Sequence, residues 1–479
     1  MKKQAFNPYL PSFEYVPDGE PRVFGDRVYV YGSHDAFDGE GFCVNDYVCW
    51  SAPVDDLGDW RYEGVIYPAA RDPMNADGKM KLFAPDAVQG PDGRYYLYYV
   101  FNASSIVGVA VCDTPAGDYR FYGYVHRPDG VPSGTESWDV RHFDPGVLVD
   151  DDGRVFLYTG FTPGPGELYE ILKKHNQRME GSYCLELEPD MLTVKSEPVM
   201  VIPSCWTSAG TGFEGHEFFE ASSIRKVNGK YYLVYSSILS HELCYAVSDY
   251  PDRDYRYGGI LVSIGDLGLN GNREALNYLG NTHGGMVELG GQWYIFYHRQ
   301  TNKQCCARQG CAEPITIAPD GSIAQAEITS CGLNGGPLRG AGTYEARIAC
   351  NLGWKEPAFG YCAVHEADTD HPFFTQSGTD RESDPDQYIA NMRDGAWCGF
   401  KYFAFTGQTG LTVFARGDAK GELLVSTARN GMPVAVIPIA PAKAWTPFEA
   451  EFLPLSGTHP LFFAYRGTGA VDFERFTIR

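Results

Sequence analysis

One hairpin is written into this chain five times, and few folds accommodate such repetition. In its clearest form Asp144 precedes the apolar run Gly146-Val147-Leu148-Val149, a tight Asp152-Gly153 turn follows, and Val155-Phe156-Leu157-Tyr158 leads back. Apolar runs on both sides of an Asp-Gly or Asn-Gly pair are the strongest short-range signal for paired antiparallel strands. The pattern turns again at Gly25-Asp26, Asp92-Gly93, Asn228-Gly229 and Gly290-Gly291. Each returning strand is aromatic-rich: Val28-Tyr29-Val30-Tyr31, Tyr95-Tyr96-Leu97-Tyr98-Tyr99, Tyr231-Tyr232-Leu233-Val234-Tyr235 and Trp293-Tyr294-Ile295-Phe296-Tyr297. A period of about 60–75 residues is too long for a solenoid unit and suits four-stranded propeller blades with long loops. Outer strand pairs recur too, as at Tyr47–Trp50 with Trp60–Val65 and at Leu243–Ser248 with Tyr255–Leu261. Five units predict a five-bladed β-propeller over residues 1–331, its last strand at Ser322–Ile328.

Gly332 to Gly342 is a linker by composition. Beyond it the rhythm changes to short strands, such as Gly421–Thr427, Val434–Ile439, Phe448–Phe452, Leu461–Tyr465 and Asp472–Ile478. Turn signals between them predict a β-sandwich over residues 343–479. Helical periodicity is confined to a short stretch at Leu168–Lys173. The expected class is therefore all-β, and 55 Gly with 31 Pro supply the turns.

A formal charge of −22, from 39 basic and 61 acidic residues, opposes binding to nucleic acid or to an anionic membrane. No apolar run is long enough for a signal peptide or a membrane span. The 13 cysteines are odd in number, dispersed, and often inside strand-like runs, the usage expected of reduced, buried thiols in a cytoplasmic protein. Cys305, Cys306 and Cys311 cluster without a Cys-x-x-Cys pair, and packing is the expected reading. The Gly-x-Gly-x-x-Gly match at Gly210–Gly215 has no helix pattern after it. His216-Glu217-Phe218-Phe219-Glu220 lacks the second histidine of a zinc-protease helix.

In a propeller the first strand of each blade lines the central channel, so acids just upstream of those strands converge. Asp18, Asp86, Asp144 and Glu220 each stand at such a point. Any one of them alone is as well explained by turn chemistry, since Asp closes loops through local hydrogen bonds. Recurrence at one blade position argues for a shared site. Paired carboxyls, one protonated and one ionised, are what glycoside hydrolysis requires. Aromatics nearby, among them Phe42, Trp50, Phe83, Trp206 and Phe219, are candidates for a sugar platform, with blade packing as the alternative. Arg308 is a candidate partner for the channel carboxylates or for a sugar hydroxyl.

These residues carry a resemblance. Asp18 with Gly25-Asp26-Arg27-Val28-Tyr29, Ala84-Pro85-Asp86, Asp144-Pro145 with Asp150-Asp151-Asp152-Gly153, Glu220-Ala221-Ser222 and Thr282-His283-Gly284 together resemble glycoside hydrolase family 43, in order and spacing. The resemblance implies a five-bladed propeller acting with inversion, as α-L-arabinofuranosidase, β-xylosidase or a related enzyme. It implies Asp18 as general base, Glu220 as general acid, and Asp144 as the acid that tunes the pKa and orients the sugar. It also places His283 in the channel near a water-coordinated cation, often calcium, so His283 is the candidate metal residue; a hydrogen-bonded core histidine is the alternative. No organic cofactor is implied. Gly19 follows Asp18 where the family often has proline, and Ala221-Ser222 replace its Gly-Pro.

The expected substrate is an oligosaccharide derived from plant polysaccharide, losing a terminal α-L-arabinofuranose, with xylose or another furanose as the alternative. Phe83, Asp86, Trp206, His283 and Arg308 are the candidate sugar contacts. A non-hydrolytic sugar-binding propeller is the rival of a different class, and the presence of all three acids disfavours it. The tail weakly resembles accessory sandwiches of such hydrolases, some of which bind carbohydrate; bracing the propeller is the preferred role.

Overall fold

The computed structural model describes residues 3–355, 370–381 and 386–479. Four antiparallel four-stranded sheets and one three-stranded sheet follow one another along the first part of the chain. Blade one comprises Glu20–Phe24, Arg27–Tyr31, Tyr47–Pro53 and Arg61–Tyr67. Blade two runs from Asp86–Gln89 to Arg120–Tyr124, blade three from Gly146–Val149 to Val199–Pro203, and blade four from Phe218–Val227 to Arg256–Ser263. Blade five has Met286–Leu289, Gln292–Thr301 and Gln304–Ile315.

The sequence logic is visible strand by strand. At Asn228-Gly229 both turn residues have positive φ, 50° and 78°, the backbone that a tight two-residue hairpin needs and that Asn and Gly supply at least cost. Returning strands such as Val155–Thr159 are buried along their whole length, because a blade has a neighbour on each face. That explains a continuous apolar run in place of alternation. Outermost strands such as Arg120–Tyr124 are largely half-exposed and carry the polar residues.

Five apolar clusters join the blades pairwise: one to two, two to three, three to four, four to five, and five back to one. The ring is therefore closed. Its last seam is sealed at the innermost strands by a parallel bridge between Gly19 and Gly284. A Cβ on Gly19 would stand 2.9 Å from the Tyr9 hydroxyl, and one on Gly284 would stand 2.0 Å from the Phe296 carbonyl. The tightness of this seam accounts for glycine after Asp18. The N-terminal segment lies along blade five, where Asn7 Nδ2 donates to the carbonyls of Ala312 and Thr329 and to Glu313 Oε1.

The expected fourth strand of blade five is a correction. Its turn forms, with Ala318 N–H donating to the Ser322 carbonyl, but Ser322–Ile328 makes only isolated bridges. Ile323 meets Ile317, and Ala326 runs beside Val262 of blade four. Ile323, Ala326 and Ile328 are drawn into the apolar seam between blades four and five, so the segment serves the seam in preference to the sheet edge.

The remaining strands form two six-stranded sheets around one apolar core, a β-sandwich. Within the glycine-rich 332–342 stretch, Leu338–Arg339 pairs in parallel with Phe403 and Ala404 of the sandwich. The sandwich is packed against the propeller through specific bonds. Lys401 Nζ reaches Asp266 Oδ2 at 3.2 Å and Glu327 Oε1 at 2.9 Å, Arg381 Nη1 reaches Glu14 Oε1 at 2.5 Å, and Tyr15 OH donates to Gln376 Oε1 at 2.7 Å. The one α-helix among the described residues is Glu167–Lys173, and no helix is long and apolar enough to cross a membrane.

Candidate active site

The innermost strands touch in ring order and surround the central channel. At one mouth of it lies a pocket of about 690 Å³ lined by Asp18, Asp144, Glu220, His283 and Arg308, together with Phe42, Phe83, Phe143, Phe161 and Phe219. Three acids from blades one, three and four, up to 202 positions apart in the chain, thus meet as the blade geometry requires. Asp18 and Asp144 have left-handed backbone, φ 56° and 43°, as does Ala221 beside Glu220, φ 70°. Asp tolerates that region through local hydrogen bonds, whereas at Ala221 it costs about 1–2 kcal/mol. The strand pairing is irregular on both sides of Glu220. Such strain and bulging re-aim a side chain, here into the pocket.

The charges around the three acids differ. Burial alone would raise the Asp18 pKa, but the Arg308 guanidinium, with Nη1 3.0 Å from Asp18 Oδ1, outweighs it and holds the carboxyl well below its ordinary range. His298 lies 3.2 Å from the same oxygen. Burial keeps His298 neutral, and its Nε2 hydrogen-bonds the Asn281 carbonyl at 2.7 Å. That contact requires the proton on Nε2, which leaves Nδ1 to accept the Asp18 N–H at 3.2 Å. Arg308 is therefore the cation that counts.

Glu220 is half-buried in the pocket wall, and burial together with the Asp18 charge pushes its pKa up to about 8. Asp144 is raised as well, by burial first and then by Glu220 and Asp18. These two acids compete for protons in one buried space, so neither is fully ionised at neutral pH. The sequence offered burial or a like charge, with Asp144 as the candidate neighbour, as what lifts Glu220; in the structure burial leads and Asp18 is the charged neighbour.

Arg308 is itself fixed. Its Nε and Nη2 grip Asp35 at 2.8 and 3.0 Å, its backbone N–H donates to the same carboxylate, and its guanidinium lies over the Phe42 ring at 4.8 Å. Asp35 and His298 were not foreseen. Nor were Phe143 and Phe161, which complete a run of touching rings: Phe83 to Phe143 at 5.5 Å, Phe143 to Phe161 at 4.7 Å, Phe161 to Phe219 at 5.4 Å. Of the aromatics expected near the site, Phe42, Phe83 and Phe219 line the pocket.

Three candidates fall elsewhere. Trp206 is not among the pocket's lining residues; it stacks on Tyr169 at 4.1 Å and donates to the Pro163 carbonyl. Trp50 is buried against Glu14. Asp86 is buried in the channel, paired with Arg22 and accepting the Val147 N–H at 2.8 Å, so it ties three blades together and does not face sugar.

His283 lines the pocket, as expected. Burial lowers its pKa to about 4, leaving a neutral imidazole whose Nδ1 has no hydrogen-bond partner and lies 3.6 Å from Asp144 Oδ2. An orphaned nitrogen fits an ion whose other ligands are water. The one group of three close potential ligands among the described residues, His216, Glu242 and Cys244, does not include it.

An ionised carboxyl and a protonated one share a sugar-sized, aromatic-walled pocket at the mouth of a five-bladed propeller, the equipment of a glycoside hydrolase. Residues 7–323 match the model of Glycosyl hydrolases family 43. A xylosidase/arabinosidase of Thermoclostridium stercorarium is 50% identical over 490 residues, covering 100% of this chain and 99% of the relative. The chain belongs to glycoside hydrolase family 43. Among solved structures, a Bacillus subtilis arabinoxylan arabinofuranohydrolase in complex with cellotetraose shares the fold over 98% of this chain and 97% of its own, with TM-score 0.51 and 20% identity. A β-xylosidase/α-arabinofuranosidase from a compost microbial metagenome, solved with xylotriose in a calcium-free form, covers 68% of this chain and 98% of its own at TM-score 0.52 and 25% identity.

Proposed function

We propose that this enzyme is an inverting, exo-acting hydrolase that releases terminal pentose, α-L-arabinofuranose in the first place and β-xylose as the alternative, from plant-derived oligosaccharides. The observation that carries the reading is the unequal pairing of two acids in one pocket: Arg308 Nη1 lies 3.0 Å from Asp18 Oδ1 and favours its ionised form, whereas burial and the Asp18 charge favour the protonated form of Glu220. Asp18 stays ionised and takes the proton of the attacking water. Glu220 stays protonated and delivers its proton to the departing glycosidic oxygen. Both events are general acid–base steps across an oxocarbenium-like transition state. Asp144, protonated or sharing its proton with Glu220, is placed to hydrogen-bond a sugar hydroxyl. The arc of phenylalanines presents an apolar face to the sugar ring and excludes water.

A calcium ion at His283, completed by water, would supply positive field to the channel carboxyls. The names of the relatives support the pentose assignment. Twelve described cysteines without disulfide partners support a reducing, cytoplasmic setting. Incubation with 4-nitrophenyl α-L-arabinofuranoside and β-D-xylopyranoside, followed by proton NMR of the first sugar released, tests the proposal. The expected product has inverted anomeric configuration; a retained one removes Asp18 from the role of base.

A further inference from the structure

Blade five carries an irregularity that regular strand geometry does not produce. Thr301 pairs with Gln304, yet Gln300 pairs with Arg308, so Cys305, Cys306 and Ala307 bulge out with no residues opposite them. Neighbouring side chains of a regular strand point to opposite faces. Here the bulge turns adjacent cysteines towards each other, and their sulfurs lie 3.4 Å apart. Both are buried, with 4% and 0% of their surface exposed. Cys305 nevertheless lines the catalytic pocket, three residues before Arg308.

Two sulfurs so placed form a bite. With each sulfur about 2.3 Å from a shared soft ion, a 3.4 Å separation corresponds to an S–ion–S angle of about 95°, within reach of real thiolate complexes. Soft donors select soft, thiophilic ions over calcium or magnesium. The nearby Arg308 guanidinium disfavours a bare dication and tolerates a neutral trivalent arsenical. The hydrogen bond from Cys306, and after it the Arg308 charge, favour the Cys305 thiolate against its burial.

We propose that Cys305 and Cys306 form a chelating site for thiophilic metalloid ions of the arsenic(III) class, and that its occupation stops hydrolysis by displacing Arg308 from Asp18. The chemistry balances without an oxidant. Two S–H bonds break and two As–S bonds form on an arsenic oxide, whose oxygen leaves with both protons as water while arsenic keeps its oxidation state. The His216–Glu242–Cys244 group offers one thiol and cannot make this cyclic adduct.

The test uses the full chain with one equivalent of phenylarsine oxide. Intact-mass analysis should show one arsenical added with loss of one water, and hydrolysis of the aryl glycoside should fall at least about tenfold, as misplacement of a group at the reacting centre does. A 1,2-dithiol should restore activity where a monothiol does not. Cys306→Ser should keep its hydrolytic rate, form no adduct and resist the arsenical. In the unmutated protein, alkylation with iodoacetamide in denaturant followed by peptide mapping should show Cys305 and Cys306 shielded together only when the arsenical was added first, a readout that does not depend on the variant folding. Absence of an adduct, an adduct that leaves activity intact, an adduct that persists in Cys306→Ser, or shielding of other cysteines instead would each overturn the proposal.

Discussion

Two groups of buried acids and arginines lie within this propeller. In the channel, Glu20 and Asp86 face Arg22 and Arg225: Arg225 Nη2 is 2.7 Å from Glu20 Oε1, Arg22 Nε is 2.9 Å from Asp86 Oδ1, and Ser223 Oγ donates to Glu20 at 2.7 Å. At the pocket, Asp18, Asp35, Asp144 and Glu220 share Arg308 alone among the described arginines and lysines. Equal numbers of opposite charges make the first group a brace between blades. The surplus of acids makes the second reactive, because whatever Arg308 does not neutralise must hold a proton. Both groups are built from carboxyls and guanidinium groups; the balance of charge separates structure from chemistry.

The contrast breaks most visibly at Asp18. Asp18→Asn should lower kcat/KM by about a hundredfold or more, on activated and unactivated glycosides alike, since activation of water is needed whatever leaves. An unchanged rate would end the mechanism. Glu220→Gln should cost about a hundredfold on natural oligosaccharides but much less on a nitrophenyl glycoside, whose leaving group needs little proton help. The same variant should remove the alkaline limb of the pH profile. Glu220 acts in its protonated form, so activity is present below about pH 8 and lost as pH rises through it. Equal losses on both substrates would exclude it as the acid.

Arg308→Lys keeps the charge but loses the two-pronged grip on Asp35, and about tenfold in kcat/KM is expected. Its acid limb should move upward, because Asp18 would be less well held in its ionised form; a pH–rate profile checks this. Asp86→Asn should behave oppositely. It takes from Arg22 the carboxylate that two of its nitrogens grip, leaving only Glu20 at 3.9 Å, and should cost about 3 kcal/mol of stability by denaturant titration, with kcat per folded molecule nearly unchanged. A large fall in kcat without loss of stability would merge the two groups. The smallest effect is expected at Arg381→Ala in the sandwich, about twofold or less in kcat/KM and about 1 kcal/mol in stability, the usual range for a partly exposed pair.

Turns and aromatic strands were legible because they are local. The triad was legible because blade repetition places distant residues on one ring. Asp35 was not, since its partner Arg308 lies 273 positions away and nothing local distinguishes Ser33-His34-Asp35 from a turn. Asp86 misled for a finer reason. Asp18 and Asp144 stand two residues before their strands, Glu20–Phe24 and Gly146–Val149, with left-handed backbone, whereas Asp86 is the first residue of its strand and is paired with Tyr98. Glu220, expected just upstream of its strand, lies inside it, as the third residue of Phe218–Val227, and reaches the pocket because the pairing is irregular on both sides of it. The bulge that joins Cys305 to Cys306 was equally hidden, because a bulge is a property of pairing and not of sequence.

The seam between the first and last blades also has a consequence for how the protein is made. Asn7 forms its bonds with residues 305 to 323 positions further on, so on the ribosome the N-terminal segment emerges long before its partners exist. At about 5–20 residues per second, the wait is about 15–60 s. During it Tyr9 already has its ring partner Trp60 of blade one, but Asn7 lacks its partners on blade five. The ring closes last, after synthesis of blade five, and slow acquisition of activity in nascent chains is the natural outcome of that geometry.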